Sequence, residues 1–409
     1  MSAVELGKRI RKVIKKKYCK ILQTYVTFYI PEEIRYSLVE TLQLFATAGI
    51  RNDYVNAVAN GLRAVGHKCQ TGETAFERIR YANPNQLLKE MREANDEIIK
   101  TAVERNELKN EIIVSIDSHN VYRYTKIPIS DKRKRECTDI KTVVGRKPKN
   151  GACYAHEYIT IQNIKMEDNP TYVLAFERIL PLQNITDIAR NLLIEAESKT
   201  GLKIKLVIAD GDFDNIDTMK MFMEERKHFI VRADQDKKVK GIIEKVEKKE
   251  NKYHIEYGYI KGNKNNFTKV NLIVINVEWL KKQGIKYPLK KKEYITFFTD
   301  LYPDEDETME HFCLKIAVFY KKRWGIETGY RDISDFEAKT HSLSDAVRLF
   351  LYLQAILLYN FWIQINMEFK DDPDRIRHFK NGIPKSILKF LMEEVIREAI
   401  EKLANKKGT

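Results

Sequence analysis

Tyr320, Arg323 and Glu327 fall in the run Tyr320-Lys-Lys-Arg323-Trp-Gly-Ile-Glu327-Thr-Gly-Tyr330. Intervals of three, four and three residues predict one helix face carrying a phenol, a guanidinium, a carboxylate and a second phenol. A helix that only packs seldom aligns an acid and a base among its aromatics. Upstream, two apolar runs of strand character each finish on an aspartate: Ile112-Ile-Val-Ser-Ile-Asp117 and Leu206-Val-Ile-Ala-Asp210. Two strand-end aspartates and one helical glutamate offer hard oxygen donors to a divalent metal. The matching chemistry is phosphoryl transfer, in which two Mg²⁺ ions about 3.5–4 Å apart serve nucleophile, phosphate and leaving oxygen. Such a site needs no His or Cys ligand, which suits a chain with only 8 His.

For these acids to meet, the chain must return to one edge of a sheet. Ligands of open α/β sheets collect outside the strand carboxyl ends. The 206–209 run is almost wholly apolar, as in a strand covered on both faces, and Ile113 and Ile116 are expected to be buried. Each acid also has a plainer reading. A strand-end aspartate commonly forms a turn or caps a helix, and Glu327 can pair with Arg323 or Arg331. Asp212 and Asp214 rival Asp210, and in extended chain Asp212 points the same way. His119 invites the role of base but reads better as a hydrogen-bonding loop residue.

The fold class expected is α/β: a mixed sheet flanked by helices, with a β-rich insertion and an all-helical N-terminal region. Residues 1–108 read as helical, opening with a basic helix (Lys8, Arg9, Arg11, Lys12, Lys15, Lys16, Lys17, Lys20) and broken at Pro31. A helix-turn-helix pattern follows, from Asp53 to Val65 and from Gly72 to Arg80; a plain helical bundle with a solvated basic face fits equally well. Residues 109–234 carry the strands 112–117, 158–164, 171–179, 205–210 and 228–233, with helices at 187–198 and 216–225. The polar segment Tyr122 to Asn150, with Lys132, Arg133, Lys134 and Arg135, reads as a mobile DNA-contacting loop near the site. Residues 235–300 read as the insertion, with strands at 253–260, 269–277 and 294–298. Residues 301–409 return to helices, the last from Pro384 to Lys402.

The chain has 409 residues, enough for more than one domain. Lys and Arg number 72 against 58 acids, a net charge of +14. That surplus favours a polyanionic partner, nucleic acid or acidic membrane; a Lys/Glu-rich thermophile surface is the alternative. The five cysteines form no Cys-x-x-Cys pair, so neither a disulfide framework nor a zinc knuckle is expected, and the cytoplasm is the expected location. The charged N-terminus lacks the apolar core of a signal peptide. The apolar stretch from Leu349 to Ile363 is interrupted by Gln354 and Asn360 and is expected to be a buried helix, with no membrane partner.

Together these residues resemble the insertion-sequence DDE transposases with a ribonuclease-H-like core, in the branch with a Tyr-x2-Arg-x3-Glu-x6-Lys signature and a β insertion before the glutamate. The similarity runs from Asp117 to about Phe361. Asp117 in Val-Ser-Ile-Asp-Ser stands where the family has its first aspartate, and Asp210 in Ile-Ala-Asp-Gly-Asp-Phe213 resembles the stretch around its second. Tyr320, Arg323 and Glu327 match the signature. Position 334, where the family has lysine, holds Ser334; Arg331 and Lys339 are the basic residues nearby.

The resemblance implies a Mg²⁺-dependent enzyme with two metal ions, Mn²⁺ substituting, held by Asp117, Asp210 and Glu327. Water attacks the phosphate at an element's end, and the freed 3′-OH attacks target DNA without a covalent protein intermediate. Tyr320, Arg323 and Arg331 are then expected on the DNA backbone. The partners implied are terminal inverted repeats and target DNA, with a homodimer joining two ends. A catalytically decayed DNA-binding repressor and a ribonuclease-H-like nuclease without strand transfer are the rival readings.

Overall fold

Runs of β-branched and aromatic residues build the sheet that carries the two aspartates. The structure, a computed structural model, describes residues 3–27, 38–67, 69–108, 111–123, 144–149, 152–164, 170–287, 294–342 and 344–406. The chain divides into two compact units, Lys109–Thr328 and a second made of Met1–Leu108 with Gly329–Thr409.

The first unit is a nine-stranded mixed sheet. Its strands are β1 (Glu111–Arg123), β2 (Val144–Lys149), β3 (Ala152–Asn163), β4 (Val173–Ile179), β5 (Lys203–Ala209), β6 (His228–Arg232), β7 (Tyr253–Gly262), β8 (Phe267–Asn276) and β9 (Tyr294–Thr299). Their order is β2-β3-β1-β5-β6-β9-β8-β7, with β4 also on β3. β1, β5 and β6 run parallel, and the remaining pairs are antiparallel. The parallel pairs need crossover helices. Asn184 caps the N-terminus of helix 185–200 by accepting the Thr186 N–H, and Gly201, at φ 66°, ends it in the left-handed conformation. Asn215 likewise caps helix 216–224.

Three features differ from the sequence expectation. β1 does not stop at Asp117 but continues to Arg123 against β3, because β3 offers an antiparallel partner beyond the point where β5 ends. A register shift in the β1–β5 pairing at Ile112/Ile113 leaves Ile113 only partly buried while Ile112, Val114 and Ile116 are buried. Part of the polar segment read as a mobile loop is strand β2; residues 124–143, with Lys132, Arg133, Lys134 and Arg135, lie outside the described residues. β9, β8 and β7 extend the same sheet beyond β6, giving the β6 backbone the second partner that an edge would lack. The Lys-rich stretch after β6 contains a helix, Lys237–Lys248, capped by Asp236 and buried through Val239 and Val246.

In the second unit, helices α1 (Ala3–Lys16), α2 (Tyr18–Tyr25), α3 (Leu38–Arg51), α4 (Val55–Ala64), α5 (Gly72–Arg80) and α6 (Pro84–Glu104) pack with C-terminal helices 345–368, 373–378 and 385–406. α1 buries Leu6, Ile10 and Ile14. Much of its basic face is already engaged by acids: Arg9 pairs with Asp372, and Arg11 with Glu398 at 3.3 Å. Lys17, just beyond α1, reaches Glu368 at 2.8 Å.

The helix Asp345–Glu368 is long and apolar enough to cross a membrane, but 83% of its most apolar window is buried inside the protein. Its polar interruption at Asn360 has a partner: Asn360 Nδ2 donates to Asn95 Oδ1 of α6 at 2.7 Å, both residues being buried. Asn360→Ala leaves the Asn95 oxygen without this donor in a dry environment. The expected cost is about 1–3 kcal/mol, read from a chemical-denaturation midpoint.

Candidate active site

β1 and β5 are neighbouring parallel strands whose last paired residues are Ile116 and Ala209. Asp117 and Asp210 are each the next residue, so the sheet register sets them side by side. Asp117 stays within β1, opposite Thr160 of β3. It is 7% exposed, and its Oδ1 accepts the Ser118 N–H at 2.8 Å. Asp210 leaves the sheet and caps the short 3₁₀ turn Gly211–Phe213, its Oδ1 accepting the Asp212 N–H at 2.9 Å.

That turn separates Asp210 from its rivals. The chain is not extended at Asp212, so the two side chains do not point alike. Asp212 is exposed, and its carboxylate accepts from the Ser118 hydroxyl at 3.5 Å. Asp214 is bound elsewhere: Lys261 of β7 reaches its Oδ1 at 2.5 Å, and the Asp234 N–H donates to its Oδ2 at 2.7 Å.

The third acid arrives on a bent helix pair. Helix Met309–Lys322 ends just before Arg323, and helix Trp324–Ser334 begins just after it. The junction is tight: the Arg323 N–H donates to Tyr320 O and the Ile326 N–H to Arg323 O, both three residues back. The single helix face expected from the spacing is therefore two helices meeting at Arg323. Arg323 itself is 5% exposed. Its Nη1 donates to Asp117 Oδ2 at 2.9 Å and its Nη2 to Glu327 Oε1 at 2.8 Å. One guanidinium fork thus joins an acid of the sheet to the acid of the helix. The Glu327 side chain remains 56% exposed.

Tyr320 is 1% exposed, with its ring 4.8 Å from that of Phe297 and the Arg323 guanidinium carbon 5.3 Å from its centroid. In this arrangement it packs beside Arg323 from the core. Arg331 is exposed on helix Trp324–Ser334. Ser334 closes that helix, and Lys339 lies beyond it in an extended segment, not on the same helix.

The electrostatics follow from this crowding. Burial and the charge of Asp210 push the Asp117 carboxyl well above the usual carboxylate range, with Arg323 and the Ser118 N–H opposing them. Burial and Asp212 raise Asp210 as well. Burial works against the Arg323 charge, yet Tyr320, Asp117, Asp210 and Glu327 together hold its pKa above the ordinary value. A cluster of half-compensated carboxylates calls for more positive charge than one arginine brings. Its donors are all hard oxygens, the set that Mg²⁺ or Mn²⁺ takes. Among the described residues no three acidic, His or Cys side chains close on one point; Arg323 stands between Asp117 and Glu327.

Sequence reasoning missed Lys261. Its side chain is mostly buried and also lies 4.4 Å from the Phe298 ring centroid. The next residue, Gly262, has φ 115°, and a Cβ there would meet Asn266 O at 2.2 Å. The β7–β8 turn thus braces the segment that follows Asp210. The only sequence signal is a lysine entering a turn within an alternating strand, which is weak. Lys261→Ala strands the buried Asp214 carboxylate, and a loss of about 3–5 kcal/mol is expected. Thermal melting would check this, with Lys264→Ala, an exposed neighbour, as the unaffected control.

Residues 183–361 match the family model described as a transposase DDE domain, a span that includes Asp210 and Glu327 and begins after Asp117. No curated protein matches the sequence. A cryo-EM structure of the piggyBac transposase synaptic complex with hairpin DNA is similar, with TM-score 0.54 and 9% identity, covering 97% of this chain and 79% of that one. At that identity the likeness is one of fold. Over residues 183–361, from its central sheet into its C-terminal helices, the chain is similar to the transposase DDE domain, and the cryo-EM structure shares its fold.

Proposed function

We propose that this chain is a divalent-metal-dependent DNA transposase that cuts element ends and joins their 3′-OH groups to target DNA, on a ribonuclease-H-like core. The observation carrying this reading is the side-by-side placement of Asp117 and Asp210 at the carboxyl ends of β1 and β5, with Arg323 bridging Asp117 to Glu327. Asp117 and Asp210, fixed by the sheet, and the exposed Glu327, brought by the helix, would hold the metal. When bound, two Mg²⁺ ions supply Lewis-acid stabilisation of the phosphate and a more acidic attacking water. Arg323 compensates the carboxylates before metal arrives, then serves the DNA backbone with Arg331. Tyr320 positions Arg323. The 1–108 region and the 235–300 segment grip the element's ends, and a homodimer holds two ends together.

One observation favours a second reading. Arg323 fills the space between Asp117 and Glu327, and Ser334 stands at the signature lysine position, as in a repressor that binds DNA without cutting it. The test is to incubate the protein with Mg²⁺, a labelled duplex ending in the element's own inverted repeat, and a supercoiled target plasmid. A transposase releases a 3′-OH end and yields label joined to the plasmid. Cleavage without joining would leave a nuclease, and metal-independent binding without cleavage would leave the repressor.

A further inference from the structure

A concave site lies within the helical unit. It is a cavity of about 920 Å³ between α4, α5 and the segment 339–342, with Ser344. The segment is held rigidly. Asn52, at φ 52°, donates through Nδ2 to Ser334 O at 2.6 Å and to Glu337 O at 3.2 Å. The Lys339 N–H donates to Asp53 O at 3.0 Å, and Tyr54 and Lys339 form a parallel β-bridge. Arg348 Nε holds Ser342 O at 2.8 Å from the other side. The walls are therefore set before any ligand arrives, which lowers the ordering cost of binding.

The lining combines cations with an aromatic platform. Lys339 is exposed, and among the described residues its ammonium has no hydrogen-bond or ion-pair partner. Arg80 lies in the same cavity, tethered to Glu73 at 3.2 Å. Tyr54 and His341 are stacked, with ring centroids 4.5 Å apart and planes at 17°, and both are exposed. Asn60 and Ser342 add neutral hydrogen-bonding groups. Charged groups for phosphate, a π-face for a base and polar side chains for edges are the components of a strand-binding groove. The volume falls within the range of about 300–1,000 Å³ usual for small-molecule pockets. It suits a nucleotide or two of one strand better than the broad face of a duplex.

We infer that this cavity is a nucleic-acid strand subsite, in which Lys339 and Arg80 take a backbone phosphate and the Tyr54–His341 pair stacks on the adjoining base. The inference rests on the proposal that the chain acts on DNA. It gives the chain a phosphate-binding lysine that is not at the helical position of Ser334.

Fluorescence anisotropy with a 12-nucleotide single strand and a 12-base-pair duplex tests it, using the full chain without metal. Lys339→Ala is expected to weaken strand binding about five- to tenfold and to lower the salt slope by roughly 0.7. Tyr54→Ala is expected to weaken it by about fivefold or more, with less effect on the duplex. Lys339→Gln, which keeps the stem, separates charge from packing, and a thermal melt confirms that each variant is folded. Wild-type binding with both variants unchanged would overturn the strand subsite and leave the DNA reading intact. Failure of the wild type to bind either DNA would overturn both.

Discussion

Asp117→Asn, Asp210→Asn and Glu327→Gln are each expected to lower Mg²⁺-dependent strand cleavage by about a thousandfold or more. A factor of that size corresponds to about 4 kcal/mol of transition-state stabilisation, the scale of a lost metal ligand. DNA binding should survive, since each change removes a negative charge that phosphates would meet. Asp212→Asn is the internal control: it is exposed and bonded to Ser118, and its activity should stay within a few fold. Cleavage that persists in any of the three principal variants would remove that residue from the site.

The same variants carry a stability signature. Burial and the neighbouring Asp210 raise the Asp117 pKa above its unfolded value. Between the ordinary carboxylate pKa and the raised one, the folded state binds more protons than the unfolded state, so stability falls as pH rises through that window. Asp117→Asn removes this penalty. Without metal at neutral pH it should melt higher than the wild type, and its melting temperature should depend less on acidification toward pH 5. An inactive variant that is more stable than its parent is the expected mark of a site whose charge serves function.

Arg323→Ala is expected to destabilise the metal-free fold substantially. Its buried fork serves Asp117 and Glu327 together, and its loss removes the cation that opposes the mutual repulsion of Asp117 and Asp210. A destabilisation of about 3 kcal/mol follows from removing one partner of a buried pair, with most of it assigned to Asp117 because Glu327 is largely exposed. Arg323→Lys should recover only part, since an ammonium cannot fork to two carboxylates. Millimolar Mn²⁺ or Mg²⁺ should restore the melting temperature of Arg323→Ala more than it raises that of the wild type. If metal shifts both equally, the cations are not replacing the guanidinium.

The strands were legible because their residues are few in kind and strongly patterned: the 206–209 run is buried throughout. Asp117 and Asp210 could be paired in advance because parallel strands end ligand sites at their carboxyl edge. The continuation of β1 past Asp117 was not legible, since Ser118 to Arg123 is polar and its strand form depends on β3. Spacing placed Tyr320, Arg323 and Glu327 on one face, but no local feature marks the tight turn at Arg323 or the burial of Tyr320. Both arise from tertiary contacts with Phe297 and Asp117. The pocket at Tyr54 needed residues nearly three hundred positions apart to meet, which periodicity does not report.

Because a lysine on β7 fastens the turn that follows Asp210, the Lys-rich segment cannot be treated as a detachable accessory. An engineer who shortens this chain by excising residues 235–300 would also release the second acid from its seat. A minimal version must keep the hairpin tip, or supply from elsewhere a cation able to occupy the dry niche beside Asp214.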